Sequence, residues 1–454
     1  MYLRKLILKD FRSLEHFEWS IAAGEEAGWH VLLGPNGCGK SSVLKAIALA
    51  LGAGREFFAL RIPVEQFVRQ GSMTSSTAIE LGVSWLPKWD QWMGPTPKSA
   101  AMQALVPIKL TLSSTTPSGS FISDGKAADR TVWSGKRGWF SASFGPMRRF
   151  SGGSNSSMQL YKTSPRLARH LSIFGEDVAL SESLEWLKRM HHRSLEVARR
   201  DKLAVDEQSN FDAGGADDGS PWLLDAIRRF VNQPGFLPYG VRLDAVSSEK
   251  VGFVDGNGAS LSILDLSDGY RAVLSLVLEL FRLITECYDN PAYHGKAPFR
   301  RTLMSRDGTA MVAPGLVLID EVDAHLHPEW QRTIGKMLVG MFPNIQFLVT
   351  THSSHVAQGA GKGSVWVMPE PGSDRVPRRL LGEDLNRVLY GDVLHALSGA
   401  AFGGVPGRSD EANHMLDRVA ALNQLKSAKK LTAARGKELQ ALKKTLSAVL
   451  LPSE

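Results

Sequence analysis

Cysteine is almost missing from this chain: Cys38 and Cys287 are the only two in 454 residues. Two cysteines cannot build a disulfide framework, and their scarcity fits a reducing compartment, so the chain is expected to work in the cytoplasm. Long hydrophobic runs are missing as well. The longest, Ala272 to Ile284, is broken by Glu279 and Arg282, and the first ten residues carry charge throughout; no membrane span and no signal peptide are expected. Neither an internal repeat nor a long uninterrupted heptad array is present, which speaks against a solenoid or an extended coiled coil. Charge, by contrast, is plentiful and of both signs. The formal balance of +7 admits nucleic acid as a partner without requiring it. A chain of this length exceeds one simple core, so two or three lobes are expected.

The most informative segment that is present runs Gly34-Pro-Asn-Gly-Cys-Gly-Lys40-Ser41, between an apolar run, Trp29 to Leu33, and a helix-prone run, Ser42 to Leu51. A strand, a glycine-rich loop and a helix in that order form a phosphate cradle. Glycines let backbone N–H groups approach phosphate oxygens without a Cβ in the way, and the helix directs its positive end at the same anion. Lys40 is then placed to neutralise the β- and γ-phosphates and the Ser41 hydroxyl to ligate Mg²⁺. ATP and Mg²⁺ are the expected cofactors.

Further along, four stretches of different character follow one another. Residues 1–70 hold two alternating strands within 2–21 and then the phosphate loop. Residues 71–235 read as an inserted lobe, first strand-rich, with Ser, Thr, Gly and Pro clusters such as Ser113 to Ser120, then helical from Glu182 to Asp206 and again at Trp222 to Val231 after a Gly/Asp loop. Residues 236–380 contain short strands at Val241–Val246, Val251–Asp255 and Ser260–Leu264, a strongly apolar helix from Ala272, and two continuous apolar runs, Leu316–Ile319 and Gln346–Val349, separated by a helix over Glu329–Met341. That last alternation predicts a strand–helix–strand unit with buried parallel strands. Residues 381–454 form a helical, lysine-rich C-terminal region, with one or two helices across Glu411–Leu450.

Asp320-Glu321 directly follows one buried strand. Carboxylates there are costly unless they meet a cation or water at the strand's C-terminal end. Asp320 is expected to hold the Mg²⁺ shell, mainly through water, and Glu321 to polarise the water that attacks the γ-phosphate. His352 comes just beyond the next strand, so parallel topology brings it to the same edge, within reach of the γ-phosphate. Ser267 and Gly269 stand at a helix start, a geometry suited to an anion and equally to a plain helix cap.

Gly34–Ser41, Leu266–Arg271, Leu318–His327 and Thr350–His355 occur in the order of the motifs of ABC-type ATPases, and Asp320 to Gln331 resembles their OLD-like and RecF-like branch. The resemblance implies an α/β fold: an ABC-type P-loop ATPase head with a β-lobe, an inserted strand and helix lobe, and a helical C-terminal region. It implies ATP sandwiched between two head-to-tail copies, with Ser267 and Gly269 completing a phosphate site on another subunit. Arg12, Asn36, Gly37, Cys38, Gly39, Lys40, Ser41 and Ser42 match nucleotide-binding positions, and Asp323 the loop that crosses the dimer seam. A metal-binding glutamine is expected between core strands; Gln70 and Gln66 are candidates, with Gln70 preferred.

The stretch Leu266 to Leu280 resembles stand-alone defence ATPases, and the segment from Leu380 to Leu389, with the basic helices after it, is similar to the tail of Septu-type antiphage ATPases, including those attached to some retrons. That implies a homo-oligomer, at least a dimer, working with a separate nuclease of HNH or TOPRIM type. No TOPRIM-like acidic cluster follows residue 380. Two alternatives stay open: a RecF-like repair ATPase that clamps DNA, and a scaffold that holds ATP with slow turnover. The signature and the His-Leu-His-Pro segment depart from transporters.

Three weaker patterns favour plain structural roles. His325 and His327 lack the Cys or second His pair that a metal site requires. Trp133, Lys136, Arg137, Trp139 and Phe140, with Arg148 and Arg149 nearby, interleave aromatic and basic residues as a single-strand surface does, but a solvated hairpin with a half-buried aromatic face explains them better. The tail lysines are expected to face water.

Overall fold

The computed structural model describes residues 1–52, 56, 59–71, 75–114, 120–123, 126–136, 138–148, 160, 163–175, 180–206, 220–288, 303–373, 375–391, 410–427 and 432–450. Residues up to Gly391 form one unit and those from Asp392 a second.

Two sheets enclose the first helix. Strands β1 (Tyr2–Phe11), β2 (Leu14–Ser20), β4 (Ser76–Ser84), β5 (Val106–Ser113) and β6 (Ser120–Ser123) make an antiparallel sheet of order β2-β1-β4-β5-β6. β5 alternates buried with less buried residues, as a sheet with one face on the core and one in solvent requires. The core sheet has the order β14-β13-β3-β12-β11-β7, from β14 (Arg378–Arg379), β13 (Gly363–Val367), β3 (Gly28–Leu33), β12 (Ile345–Thr351), β11 (Gly315–Ile319) and β7 (Ser141–Phe144). All its neighbours run parallel except the β13–β14 pair. Every residue of β3, β11 and β12 is buried, as expected of parallel strands covered on both faces.

Helix α1 (Lys40–Gly52) touches β1, β4 and β5 on one side and β7, β11 and β12 on the other. Its apolar residues lie all round the axis, which suits a helix with no solvent face. The sheets are also tied directly: buried Gln346 of β12 accepts from the Leu3 amide at 2.7 Å and donates to the Leu3 carbonyl at 2.8 Å. A side-chain amide thus satisfies both backbone groups of a β1 residue where the ladders diverge.

The segment from 71 does not stand apart as an inserted strand lobe. Its strands β4 to β6 extend the N-terminal sheet through β1, and β7 closes the edge of the core sheet beside β11. Backbone pairing, invisible to composition, decides this. The helical part is as expected: α2 (Glu182–Asp206) and α3 (Ser220–Val231) pack together, and α2 packs on α4 (Asp268–Tyr288). A small sheet of β8 (Arg242–Val246), β9 (Val251–Val254) and β10 (Ser260–Ser262) precedes α4. That helix begins four residues before the expected Ala272. Between β11 and β12 lies α5 (Pro328–Met341), and α6 (Gly382–Tyr390) stays with the first unit, so the division falls after Gly391 rather than at 380.

The second unit contains α7 (Asp410–Ser427) and α8 (Ala433–Leu450), paired through buried Leu422 and Leu439 and an Arg418–Glu438 ion pair at 2.7 Å. Lys426, Lys437, Lys443 and Lys444 are exposed there, and Arg435 too. Lys429 and Lys430 lie outside the described residues, as do the Gly/Asp loop at 211–219, Arg137, Arg149 and the centre of the Ser113–Ser120 cluster.

Candidate nucleotide site

Parallel strands deliver the site. β3, β12 and β11 are neighbours and run in one direction, so the phosphate loop, His352 and the Asp320-Glu321 pair emerge at one sheet edge. This is the edge at which open α/β sheets bind ligands. A cleft of about 400 Å³ opens there, lined by Arg12, Ser13, Asn36, Gly37, Gly39, Lys40, Ser41, Ser42, Glu321 and His352. Its size lies within the roughly 300–1,000 Å³ typical of small-molecule sites.

Within the loop, Gly37 and Gly39 have φ of +79° and +94°. A Cβ on Gly39 would lie 2.6 Å from Leu14 Cδ2, so the position needs glycine for conformation and for space. Lys40 is buried, and its ammonium donates to the carbonyls of Gly34 and Pro35, each at 2.8 Å. Burial pushes its pKa down, against the raising influence of Cys38, Asp320 and Glu321. Cys38 does not line the cleft. It is buried, 3.8 Å from the Lys40 ammonium, and burial raises its thiol pKa.

The Ser41 hydroxyl donates to Asp320 Oδ1 at 2.9 Å, and the Thr350 hydroxyl donates to the same oxygen at 2.6 Å. Thr350 in turn accepts from the Glu321 amide at 2.8 Å. The Ser41 hydroxyl, which lines the cleft, and the Asp320 carboxylate bonded to it are therefore adjacent hard oxygen donors, which fits Mg²⁺; that ion typically takes one or two protein oxygens, phosphate and water. Asp320 is 4% exposed, and Glu321 opens onto the cleft with φ of +44°, an uncommon conformation for a side chain of its kind. His352 is half-buried. Burial first and then the nearby Lys40 lower its pKa, favouring a neutral imidazole.

Arg148 was read from the sequence only as a neighbour of an aromatic-basic run. It is buried, and its guanidinium donates to the carbonyls of Gly145, Asp320, Glu321, Val322 and Ala324 at 3.1 to 3.3 Å. Burial pushes its pKa down to about 10, so it stays charged at neutral pH. Five carbonyls converging on one cation fix the backbone that carries the acidic pair. A single arginine among fifty-three basic residues gave no signal of this in the sequence. The same loop end is braced from β12, where the Thr351 hydroxyl donates to Asp323 Oδ1 at 2.6 Å.

Gln70 and Gln66 are both exposed, and neither lines the cleft. The sharp turn that binds Arg69 N to Asp10 O and Arg12 N to Phe67 O keeps that segment beside the end of β1. The loop leaving core strand β7, Gly145-Pro146-Met147-Arg148, carries no glutamine and does not line the cleft. Ser267 is exposed at the start of α4 and is not part of this chain's own cleft; a Cβ on Gly269 would lie 3.6 Å from the His325 carbonyl. His327 caps α5 by accepting from the Glu329 amide at 3.4 Å. Trp139 and Phe140 are core residues, 4% and 0% exposed, and lead into parallel strand β7 rather than a hairpin.

Residues 5–62 match a family described as "AAA domain", and residues 158–357 match "AAA domain, putative AbiEii toxin, Type IV TA system". Septu protein PtuA from Bacillus mycoides (strain KBAB4) is 25% identical over 81% of this chain and 40% of its own length. The chain resembles the Septu proteins, and its phosphate loop and acidic pair stand in the motif order of ABC-type ATPases. The "Retron Ec83 probable ATPase" of Escherichia coli is 36% identical over 36% of this chain and 26% of its own length. The SMC head domain from Thermotoga maritima overlaps 84% of the chain and 99% of its own, at 15% identity and a TM-score of 0.38. The chain thus spans between about a quarter and two-fifths of these two curated relatives. Among the described residues, no helix is long and apolar enough to cross a membrane.

Proposed function

We propose that the chain binds Mg²⁺ and ATP in the cleft of the phosphate loop and hydrolyses the β–γ phosphoanhydride. The observation that carries this reading is the contact of Ser41 with Asp320 beside a cleft onto which Lys40, Glu321 and His352 all open. Bound there, Mg²⁺ supplies charge to the phosphate oxygens. Glu321 takes a proton from the attacking water as its oxygen bonds to the γ-phosphorus, and the bond to the leaving ADP oxygen breaks. Lys40 and a neutral His352 donating one N–H stabilise the equatorial oxygens.

In the same reading two copies pair head to tail. Ser267 and Gly269, outside their own cleft, supply amide and hydroxyl donors to the γ-phosphate bound by the partner, and Asp323 lies at the seam. ATP closes the pair and hydrolysis reopens it. The similarity to a Septu protein and a retron ATPase favours a role in antiphage defence, with the opening and closing gating a separate nuclease. A RecF-like DNA clamp draws no support from the aromatic-basic segment, whose Trp139 and Phe140 rings are buried.

The test is Glu321→Gln. Turnover should fall by about 10²–10⁴, the scale of losing a positioned general base, while ATP affinity is kept and the ATP-bound mass measured by light scattering is at least twice that of one chain. Unchanged hydrolysis would remove Glu321 from its role, and a monomeric mass with ATP would remove the paired heads. Adding Ser267→Ala to Glu321→Gln should leave ATP binding to one chain and abolish the pairing.

A further inference from the structure

A second cavity, of about 550 Å³, lies away from the phosphate loop, among α2, α3, the C-terminal half of α4 and residues 132–136, 138–139 and 165–169. Six basic side chains line it against two carboxylates, Glu56 and Glu286. Some of that charge is already matched. Arg282 is held by buried Glu279 and by Glu286 at 2.7 Å, and Arg189 lies 3.9 Å from Glu182.

Arg169, Arg193 and Lys136 have no carboxylate partner among the described residues. Arg169 is the most telling. It is half-buried, its guanidinium lies 5.8 Å from the centre of the Phe140 ring, and it donates to Cys287 Sγ at 3.5 Å. A guanidinium has five N–H donors, and a thiol sulfur is a weak acceptor for one of them. Desolvating such a group without an anion is costly. The remaining wall is apolar, with Trp186, Met190, Leu223 and Leu283 facing the same space. Glu56 adds a buried Oε2 with no partner, an acceptor for a ligand N–H or O–H.

We propose that this cavity binds a small organic phosphate, one with an apolar or aromatic body and a charged end. Arg169, Arg193 and Lys136 take the phosphate, and Trp186 and Leu283 cover the body. The volume admits a molecule of nucleotide size, and the mixed wall suits an amphipathic anion better than an inorganic ion. Leu283 and Arg282 belong to α4, so the occupant rests on the helix that begins directly after Ser267. The binding itself owes nothing to the nucleotide reading of the phosphate loop.

Calorimetric titration of the full chain with 1-naphthyl phosphate tests it, with inorganic pyrophosphate as the charge-only comparison. Saturable binding of naphthyl phosphate, tighter than pyrophosphate, should survive Lys40→Ala, which disables the phosphate loop. Arg193→Gln, at an exposed position on α2, should weaken it about tenfold or more, and Arg169→Gln should do the same. Because Arg169→Gln removes a half-buried group, Arg193→Gln carries the decision if that protein does not fold. No saturation at millimolar ligand, loss of all binding in Lys40→Ala, or equal affinity in Arg193→Gln would each overturn the proposal.

Discussion

Ser41 and Asp320 are joined by a 2.9 Å hydrogen bond across 279 positions of sequence, one at the start of α1 and the other at the end of β11. In the proposed reading both oxygens would serve Mg²⁺ when it is bound. Ser41→Ala should therefore cost about 1.5–3 kcal/mol of ATP affinity, the scale of a hydrogen-bonding or ligating group lost beside a charge. The loss should be seen with Mg²⁺ present and should nearly vanish in EDTA. Titrations in both buffers check it, and an equal loss in each would place Ser41 outside the metal shell.

Arg148 makes a different prediction, because it reaches the acidic pair only through backbone. Arg148→Met keeps the length of the side chain and removes every donor, so the carbonyls of Gly145, Asp320, Val322 and Ala324 lose their bond to the guanidinium while that of Glu321 keeps only the Ala324 amide. Destabilisation of about 3–5 kcal/mol, the range for breaking a buried charged network, should appear in urea unfolding. At temperatures where the variant remains folded, kcat should fall more than the affinity for ATP. A variant equally impaired in both, or in neither, would show that Arg148 does not hold Glu321 in place.

The contrast between these residues shows where the sequence is legible. Lys40, Ser41, Asp320 and Glu321 could be placed because fixed spacing and flanking apolar runs tie each to a strand end, and parallel register then brings the strand ends together. Arg148 could not be placed, since its partners are main-chain carbonyls more than 170 positions away, except for Gly145, and a carbonyl leaves no mark on composition. Gln70, expected from its place near a strand, lies exposed and outside the lining of the cleft. A glutamine near a predicted strand satisfies a pattern, but backbone bonds from Arg69 to Asp10 and from Arg12 to Phe67 decide where its segment lies. The same blindness to pairing made β4 to β6 look like a separate lobe.

Gly39 offers a test of the loop's backbone. Its φ of +94° is strained for any L side chain, and a Cβ there would press Leu14 at 2.6 Å and the Ser13 hydroxyl at 3.3 Å. Gly39→Ala should weaken ATP binding by at least about tenfold, or about 1.4 kcal/mol, with a modest loss of stability, on the order of 1–3 kcal/mol, typical of a residue forced into a sparsely populated conformation. Gly24, also at positive φ, has open space around its Cβ position, so Gly24→Ala should leave ATP affinity unchanged. Equal effects on ATP affinity at the two positions would mean that the steric reading of the loop is wrong.

Acid sensitivity should come from two histidines that lie in the core and not in the cleft. His170 is fully buried between Ser141 and Ser143, its ring nitrogens each 3.1 Å from a hydroxyl, and burial, aided by Arg169 and Arg166, lowers its pKa from 6.5 to about 3. Burial likewise takes His30 down to about 4, although its contact with the Glu26 carbonyl opposes the shift. In the unfolded chain both rings take up protons near pH 6.5, whereas the folded chain resists, so the unfolded state binds more protons as pH falls. Their stabilising contribution is thus complete above about pH 6.5 and is lost on acidification towards pH 4 for His30 and pH 3 for His170, with a slope of up to about 1.4 kcal/mol per pH unit for each group. Urea unfolding between pH 7.5 and 4.5 should show this decline, and His170→Gln should make it shallower by about one such slope while lowering stability at pH 7.5. An unchanged slope in that variant would mean that the ring is already protonated in the folded protein, or that the unfolding species keeps it buried.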